Sequence, residues 1–345
     1  MNPLATTIIM SSLATGTIIT MSSHHWMMAW VGLEMNTLAM VPTISKKYHP
    51  RATEAATKYF LTQAAASALI LFSSSINAWK TGTWDITQMT DPNANALLTS
   101  ALAMKLGLAP MHFWLPEVLQ GSTMKTALII STWQKLAPMA LIYLSTNNLS
   151  TTILLTMGLL SALLGGWAGL NQTQTRKIMA YSSIAHLGWM VTIATTLTNI
   201  MITALIMYLL MTTSMFSALI SSKSKTIQDT TTSWTTSPTL MIMTMLTLLS
   251  LGGLPPLSGF LPKWLILEEL ITQNLLPMAM TIALATLLSL FFYLRLTYTT
   301  TLTASPNTTQ TKHKWRFKPS TPGPLLSTTI PLTTMTLPLT PLIMN

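Results

Sequence analysis

The chain has 345 residues, of which 50% are hydrophobic and only 8% are charged, and its mean hydropathy is +0.49. So little charge cannot cover a soluble globule of this size, and the sequence therefore predicts a polytopic membrane protein. Without cysteine, the chain can form no disulfide, thiolate-bound zinc site or cysteine-ligated iron–sulfur cluster. It also lacks a G-x-G-x-x-G motif and a Walker loop, so neither a redox centre nor a nucleotide site is indicated.

Apolar runs separated by polar breaks predict an all-α bundle of about 11 transmembrane helices. The first run, up to Met21, carries no charge and is long enough to cross a bilayer, so we expect a first span and not a cleaved leader. The predicted spans are residues 2–21, 25–45, 58–79, 94–115, 126–144, 150–170, 179–197, 200–221, 239–271, 275–298 and 324–343.

The basic residues test this count, because successive loops must alternate between the two sides of the membrane. Loops after even-numbered spans hold fourteen lysines and arginines, whereas loops after odd-numbered spans hold only Lys80. By the positive-inside rule, the N-terminus and the even loops face the inner side, and the C-terminus faces outward. The net charge of +10 thus follows from topology and gives no support for nucleic-acid binding.

Four ionisable residues fall within or near the predicted spans. Lys105 lies about 15 Å inward from the polar stretch that ends at Asn95, near the centre of a hydrocarbon core about 30 Å thick. Glu34 and Lys135 are each about 14 Å deep, whereas an unbroken helix would carry Lys263 about 36 Å, to the far interface. Ionisable groups at such depth are expensive, so they indicate an ion or proton path.

Each of these residues also has a structural interpretation. Lys105 could be a proton carrier controlled by the carboxylate of Glu34, or one half of a static buried ion pair, which stabilises a fold little. Lys135 could instead snorkel to the interface if its helix began later. His112 and His186 could relay protons, because histidine titrates near neutral pH, or they could be neutral, hydrogen-bonded core residues.

Two spans are interrupted by glycine and proline. The breaks are Leu-Gly-Leu-Ala-Pro at 106–110 in the fourth span and Leu-Gly-Gly-Leu-Pro-Pro at 251–256 in the ninth. In the fourth span, Gly107 and Pro110 are expected to loosen the helix, and Pro110 to displace the carbonyl of Leu106. The broken spans lie five apart and therefore cross in opposite directions. This predicts an inverted repeat within one transmembrane domain, with residues 1–148 matched to 149–299, followed by a basic loop and last helix at 300–345.

Several stretches together match one known family. They include Trp-Val-Gly-Leu-Glu at 30–34, Glu-Ala-Ala-Thr-Lys-Tyr-Phe at 54–60, Met-Lys-Leu-Gly-Leu-Ala-Pro at 104–110, His-Phe-Trp-Leu-Pro-Glu at 112–117 and Leu-Gly-Gly-Leu-Pro-Pro-Leu-Ser-Gly-Phe-Leu-Pro-Lys-Trp at 251–264. Over essentially its whole length the chain resembles the chain 2 family of NADH-ubiquinone oxidoreductase, the antiporter-like membrane subunits of respiratory complex I. The resemblance implies that Glu34 is the key membrane glutamate, that Lys105 and Lys263 are the ionisable residues of the two broken helices, and that Lys135 is the central connecting lysine.

The resemblance further implies a proton-translocating subunit of the mitochondrial inner membrane, with its N-terminus in the matrix and its C-terminus in the intermembrane space. It would hold no metal or cofactor of its own, because NADH, FMN, iron–sulfur clusters and ubiquinone are used by other subunits. Its partners would be other membrane-arm subunits, including neighbouring antiporter-like ones, together with lipids and protons, and no nucleic acid. Two alternatives stay open: a self-sufficient cation/proton antiporter, and a structural scaffold whose charges are residual.

Overall fold

The structure, a computed structural model, describes residues 2–46, 49–233, 237–302, 313–316 and 323–339. Within these ranges the regular structure is helical, apart from two isolated antiparallel bridges that pair His25 with Asp85 and Gln174 with Thr226. The predicted all-α fold class is therefore confirmed.

The helices follow the predicted spans closely, with the fourth, fifth and ninth spans divided. In chain order they are α1 (Pro3–Ser22), α2 (Trp26–Ile44), α3 (Pro50–Thr81), α4 (Pro92–Leu106), α5 (Trp114–Gly121), α6 (Met124–Ser131), α7 (Trp133–Ser145), α8 (Thr151–Gly169), α9 (Thr175–Ile193), α10 (Thr198–Ser222), α11 (Ile227–Ser233), α12 (Pro238–Gly252), α13 (Phe260–Thr272), α14 (Leu276–Leu302) and α15 (Pro324–Met335).

Six helical segments of the described ranges are long and apolar enough to cross a membrane unaided. The third helix is longer than predicted. It begins at Pro50, where proline occupies the first turn and the Nδ1 atom of His49 accepts a hydrogen bond from the Arg51 N–H at 3.2 Å. The predicted end of the last span at residue 343 lies outside the described residues, as does most of the basic loop before it.

The chain divides into two compact units. The first comprises Met1–Ser161 with Met190–Thr198, and the second Ala162–Trp189 with Asn199–Asn345. The inverted repeat with a boundary after residue 148 stays a prediction.

Glycines bring helices of the first unit into backbone contact. A β-carbon added to Gly16 of α1 would lie 2.9 Å from the carbonyl oxygen of Gly32 on α2, and one added to Gly32 would lie 2.8 Å from the carbonyl oxygen of Gly16. Only glycine permits so close an approach of two helices. This crossing fixes α2, the helix that carries Glu34.

In the second unit, Gly165 and Gly169 of α8 allow the same close packing. A β-carbon at Gly165 would lie 2.7 Å from the backbone nitrogen of Ala185 on α9, and one at Gly169 would lie 2.9 Å from the ring of Phe292 on α14. This G-x-x-x-G pair therefore serves close helix packing. Both α9 and α14 are thereby held against α8.

Candidate functional site

The first broken helix ends at a glycine. Helix α4 stops at Leu106, and Gly107 takes the left-handed conformation at φ +79°, which glycine adopts at little cost. The N–H groups of Gly107 and Leu108 both donate to the carbonyl of Ala103 at 2.9 Å, closing the helix end. The break expected at Gly107 and Pro110 is present, but Gly107 and not Pro110 makes it, because the helix has already ended before the proline.

Side chains bind the carbonyls beside this break. The indole Nε1 of Trp114, the first residue of α5, donates to the carbonyl oxygen of Met104 at 3.1 Å. From α3, the amide nitrogen of Gln63 lies 3.5 Å from the carbonyl oxygen of Lys105. The break is thus held open by side chains from both neighbouring helices, and it keeps the lysine at the end of α4.

Lys105 and Lys135 share one small cavity in the first unit. Their side chains are only 6% and 3% exposed. The cavity, about 10 Å³, is also lined by Tyr59, Gln63 and Gln134, and it is near the smallest size that holds one water. Among the described residues, Nζ of Lys105 has no hydrogen-bond partner.

A distortion of the fifth span places Lys135 at this cavity. The span is divided into α6 and α7 at Thr132, whose φ and ψ are −112° and −71°. The Thr132 hydroxyl donates to the carbonyl of Leu128 at 2.7 Å, a contact that bends helices. The sequence did not predict this distortion. The one feature that could have indicated it is the ability of a threonine hydroxyl to bond a backbone carbonyl of the preceding turn.

Glu34 lies within electrostatic reach of the cavity. Its side chain is half-buried on α2, and its charge acts on both Lys105 and Tyr59. Its Oε2 atom is buried without a hydrogen-bond partner in the described part of the chain, and no direct ion pair joins it to Lys105. The structure therefore places these two residues near each other without the contact that a static ion pair would show.

His112 lies in the turn between α4 and α5. It is buried, its Nδ1 atom is 3.3 Å from the carbonyl oxygen of Pro110, and its ring contacts Phe113. It therefore adjoins the first break, although it is not one of the residues that line the described cavity.

The second broken helix repeats the design of the first. Helix α12 ends at Gly252, and Gly253 is left-handed at φ +78°. Lys263, in the first turn of α13, reaches back so that its Nζ donates to the carbonyl oxygen of Gly252 at 2.7 Å. The break thus brings the lysine back to the end of α12.

In the second unit, His186 meets a tyrosine that the sequence did not single out. Its Nε2 atom lies 3.5 Å from the hydroxyl of Tyr293 on α14. The chain offers no local signal for this contact, because the tyrosine stands in an apolar helix and reads as packing.

Comparisons with known proteins agree with this geometry. The family model of the NADH:quinone oxidoreductase/Mrp antiporter transmembrane region matches residues 23–289, and that of the NADH dehydrogenase subunit 2 C-terminus matches residues 290–344. Chain 2 of NADH-ubiquinone oxidoreductase from Xenopus laevis is 55% identical over 100% of both chains, and that from Varanus melinus is 57% identical over 95% of both.

Solved structures show the same fold. A chain of respiratory complex I from Thermus thermophilus superposes with a TM-score of 0.86 at 27% identity, covering 97% of this chain and 78% of that one. A chain of the Mrp complex from Dietzia sp. superposes with a TM-score of 0.78 at 17% identity, covering 96% and 74%. The full-length matches confirm the resemblance that the sequence motifs carry: the chain belongs to the NADH-ubiquinone oxidoreductase chain 2 family.

Proposed function

We propose that this chain is a proton-translocating membrane subunit of respiratory complex I that couples quinone reduction elsewhere in the complex to proton movement. The observation that carries the proposal is the buried cavity shared by Lys105 and Lys135. A scaffold gains nothing from two lysines that face one small buried space, because taking two like charges out of water and placing them near each other is costly.

The two lysines can exchange a proton because they cannot comfortably hold two. Two ammonium groups facing the same cavity repel each other strongly where the dielectric constant is low. The pair therefore titrates as a coupled unit, and a proton that arrives on one lysine drives a proton off the other. A single water in the cavity would be enough to join them.

Glu34 supplies the control. Because its carboxylate acts on Lys105 without touching it, a small movement of α2 or α4 changes the attraction without breaking a bond. Approach of the carboxylate favours the protonated lysine, and its withdrawal favours release. Lys263 serves as the carrier in the second unit, where the carbonyl oxygen of Gly252 holds its ammonium group.

The chain's setting is proposed from the same reasoning. It would lie in the mitochondrial inner membrane with its N-terminus in the matrix, as the distribution of basic residues indicates. Neighbouring membrane-arm subunits, including other antiporter-like ones, would transmit the energy of quinone reduction, which other subunits of the complex perform with their own cofactors. A cation antiporter would need several oxygen ligands that converge on the ion. Near this cavity, Glu34 offers one carboxylate, which favours protons as the transported species.

A double-mutant cycle on Glu34 and Lys105 tests the proposal. The assembled complex is reconstituted in liposomes, and protons pumped per electron are measured beside the rate of quinone reduction. Glu34→Gln should lower both assembly and pumping, because it strands a buried lysine. Adding Lys105→Met should restore assembly but not pumping, since both charges are then gone. Glu54→Gln, a change at an exposed glutamate, is the control.

Each alternative has its own signature in this experiment. Full pumping in the double mutant would support a scaffold. Pumping that requires sodium would support a cation antiporter. Strictly additive effects on assembly would show that Glu34 and Lys105 are not coupled.

A further inference from the structure

Helix α15 packs inside the second unit, although it follows the residues that the predicted repeat covers. Its buried residues Leu326, Ile330 and Thr333 recur at helical spacing and therefore share one face. Leu326 and Ile330 form an apolar cluster with Ala218 of α10, and Leu240 of α12 packs against this cluster. Apolar contacts thus hold the last helix against two helices of the unit.

A hydrogen bond joins α15 to the loop of the second break. The hydroxyl of Ser258, in the loop between α12 and α13, donates to the carbonyl oxygen of Thr333, and both residues are fully buried. Thr333 lies in the last turn of α15, which ends at Met335, and the carbonyls of a last turn have no N–H donor within their own helix. The serine therefore supplies a bond that α15 cannot form internally.

The backbone of the same serine closes the first turn of α13. The carbonyl oxygen of Ser258 accepts a hydrogen bond from the N–H of Leu261 at 3.2 Å. The next residue, Pro262, has no N–H to donate. Lys263 follows in the same turn, where its Nζ donates to the carbonyl oxygen of Gly252 at 2.7 Å. A shift of Ser258 would therefore move the turn that carries the lysine.

The loop is also confined by α12. Gly259, the residue after Ser258, approaches the carbonyl oxygen of Ser250 so closely that a side chain at this position would collide with it. Two contacts on successive residues, one with α12 and one with α15, therefore fix the loop directly before α13 begins.

We propose that Ser258 is a positioning residue for Lys263 and that α15 is the support on which it acts. The bond from the Ser258 hydroxyl to the carbonyl of Thr333 holds the loop and the first turn of α13, so that Nζ of Lys263 stays at the carbonyl oxygen of Gly252. The inference rests on the proposed function, in which Lys263 carries protons. It gives the last helix a part in the proton path, although residues 324–335 include no ionisable side chain.

Ser258→Ala tests the hydroxyl in the assembled complex, reconstituted in liposomes. We expect quinone reduction to continue while the part of pumping that depends on Lys263 falls roughly two- to tenfold, as the loss of one neutral hydrogen bond implies. That part is the difference in protons pumped per electron between the unaltered complex and Lys263→Gln. Ser214→Ala is the matched control, because Ser214 is equally buried in the second unit but bonds the carbonyl of Met211 in its own helix. Equal ratios in the two serine variants would overturn the inference.

The ratio of protons to electrons separates positioning from stability. A loss of stability alone reduces the amount of assembled complex, but it leaves the ratio unchanged in the complexes that still turn over. The midpoint of thermal inactivation is therefore measured beside the ratio. A lowered midpoint with a normal ratio in Ser258→Ala would show that the serine serves the fold alone, and it would contradict the proposal.

Ile330→Ala tests the support without altering the loop. It removes part of the apolar contact between α15 and its neighbours, so the carbonyl of Thr333 is held less firmly and the ratio should fall. The losses in Ile330→Ala and Ser258→Ala should combine less than additively, because both act through one bond, and strictly additive losses would contradict that route. If Ser258→Ala does not assemble, a normal ratio in Ile330→Ala would overturn the inference by itself.

The Lys263→Gln variant distinguishes the two levels of the argument. A normal ratio in that variant would refute the proposed function itself. A lowered ratio in Lys263→Gln beside a normal ratio in Ser258→Ala would refute the role of the serine alone.

Discussion

Replacing Gly253 by alanine shows how strongly the second break positions Lys263. At φ +78° an added side chain costs about 1–2 kcal/mol. Its β-carbon would also lie 2.8 Å from Nζ and 2.9 Å from Cδ of Lys263, so the lysine must leave the carbonyl of Gly252. That charged hydrogen bond is worth about 1.5–3 kcal/mol, and the total cost is therefore about 2.5–5 kcal/mol.

We expect the Gly253→Ala complex to reduce quinone while pumping fewer protons per electron in liposomes. Gly82→Ala is the matched control, because Gly82 has nearly the same φ of +73° but a β-carbon there meets no described atom within 4 Å. Gly107→Ala should have an intermediate effect, since its β-carbon lies 3.1 Å from the flexible end of Leu115. Equal pumping losses in Gly253→Ala and Gly82→Ala would refute the reasoning.

Three further predictions concern packing, pH and topology. Gly165→Ala puts a β-carbon 2.7 Å from a backbone nitrogen of α9 and should destabilise the fold by about 1–3 kcal/mol, which an unchanged midpoint of thermal inactivation would contradict. The Lys80 ammonium, 2.7 Å from the Asp91 carboxylate, lowers the pKa of that carboxyl. The pair therefore stabilises the folded state above about pH 4 and loses this effect as the pH falls through the lowered pKa. The protection of amides around Lys80 from hydrogen exchange, corrected for the intrinsic pH dependence of the exchange rate, should thus fall on acidification, but not in Asp91→Asn, and a similar fall in both proteins would argue against the pair. Since the chain has no native cysteine, Lys125→Cys should react only with matrix-side reagent and Thr90→Cys only from the other side, and the reverse pattern would invert the topology.

The sequence was a good guide to the helices because hydropathy and the alternation of basic loops both depend on the membrane itself. It was a poorer guide to their ends. The start of α3 at Pro50 lies in a charged stretch that reads as a loop, although proline and the His49 cap favour helix initiation there. At the first break, the sequence indicated both Gly107 and Pro110, whereas the left-handed Gly107 alone ends the helix before the proline is reached.

Depth in the membrane was enough to single out Glu34, Lys105 and Lys135, but not to show how they face one another. Lys105 and Lys135 share a cavity because of the rotation of α4 and the distortion of the helix at Thr132. Neither hydropathy nor a glycine in the sequence indicates that distortion. The expected contact between Glu34 and Lys105 is replaced by attraction at longer range.

The same limit hid Tyr293. In an apolar helix, a functional tyrosine can be told from a packing aromatic only by the partner of its hydroxyl group. For Tyr293 that partner, His186, lies on a helix that is distant in sequence. Its contact with His186 depends on two glycines of α8, whose effect on α9 and α14 becomes visible only in three dimensions.

The central claim is that buried lysines carry protons, and Lys135→Leu tests it most directly. Protons pumped per electron should be measured in the assembled complex, with Lys125→Leu, at an exposed lysine of the same span, as the control. Lys135→Leu is predicted to leave quinone reduction active while lowering the proton-to-electron ratio, whereas Lys125→Leu should keep the normal ratio. A normal ratio in an assembled Lys135→Leu complex would contradict the claim.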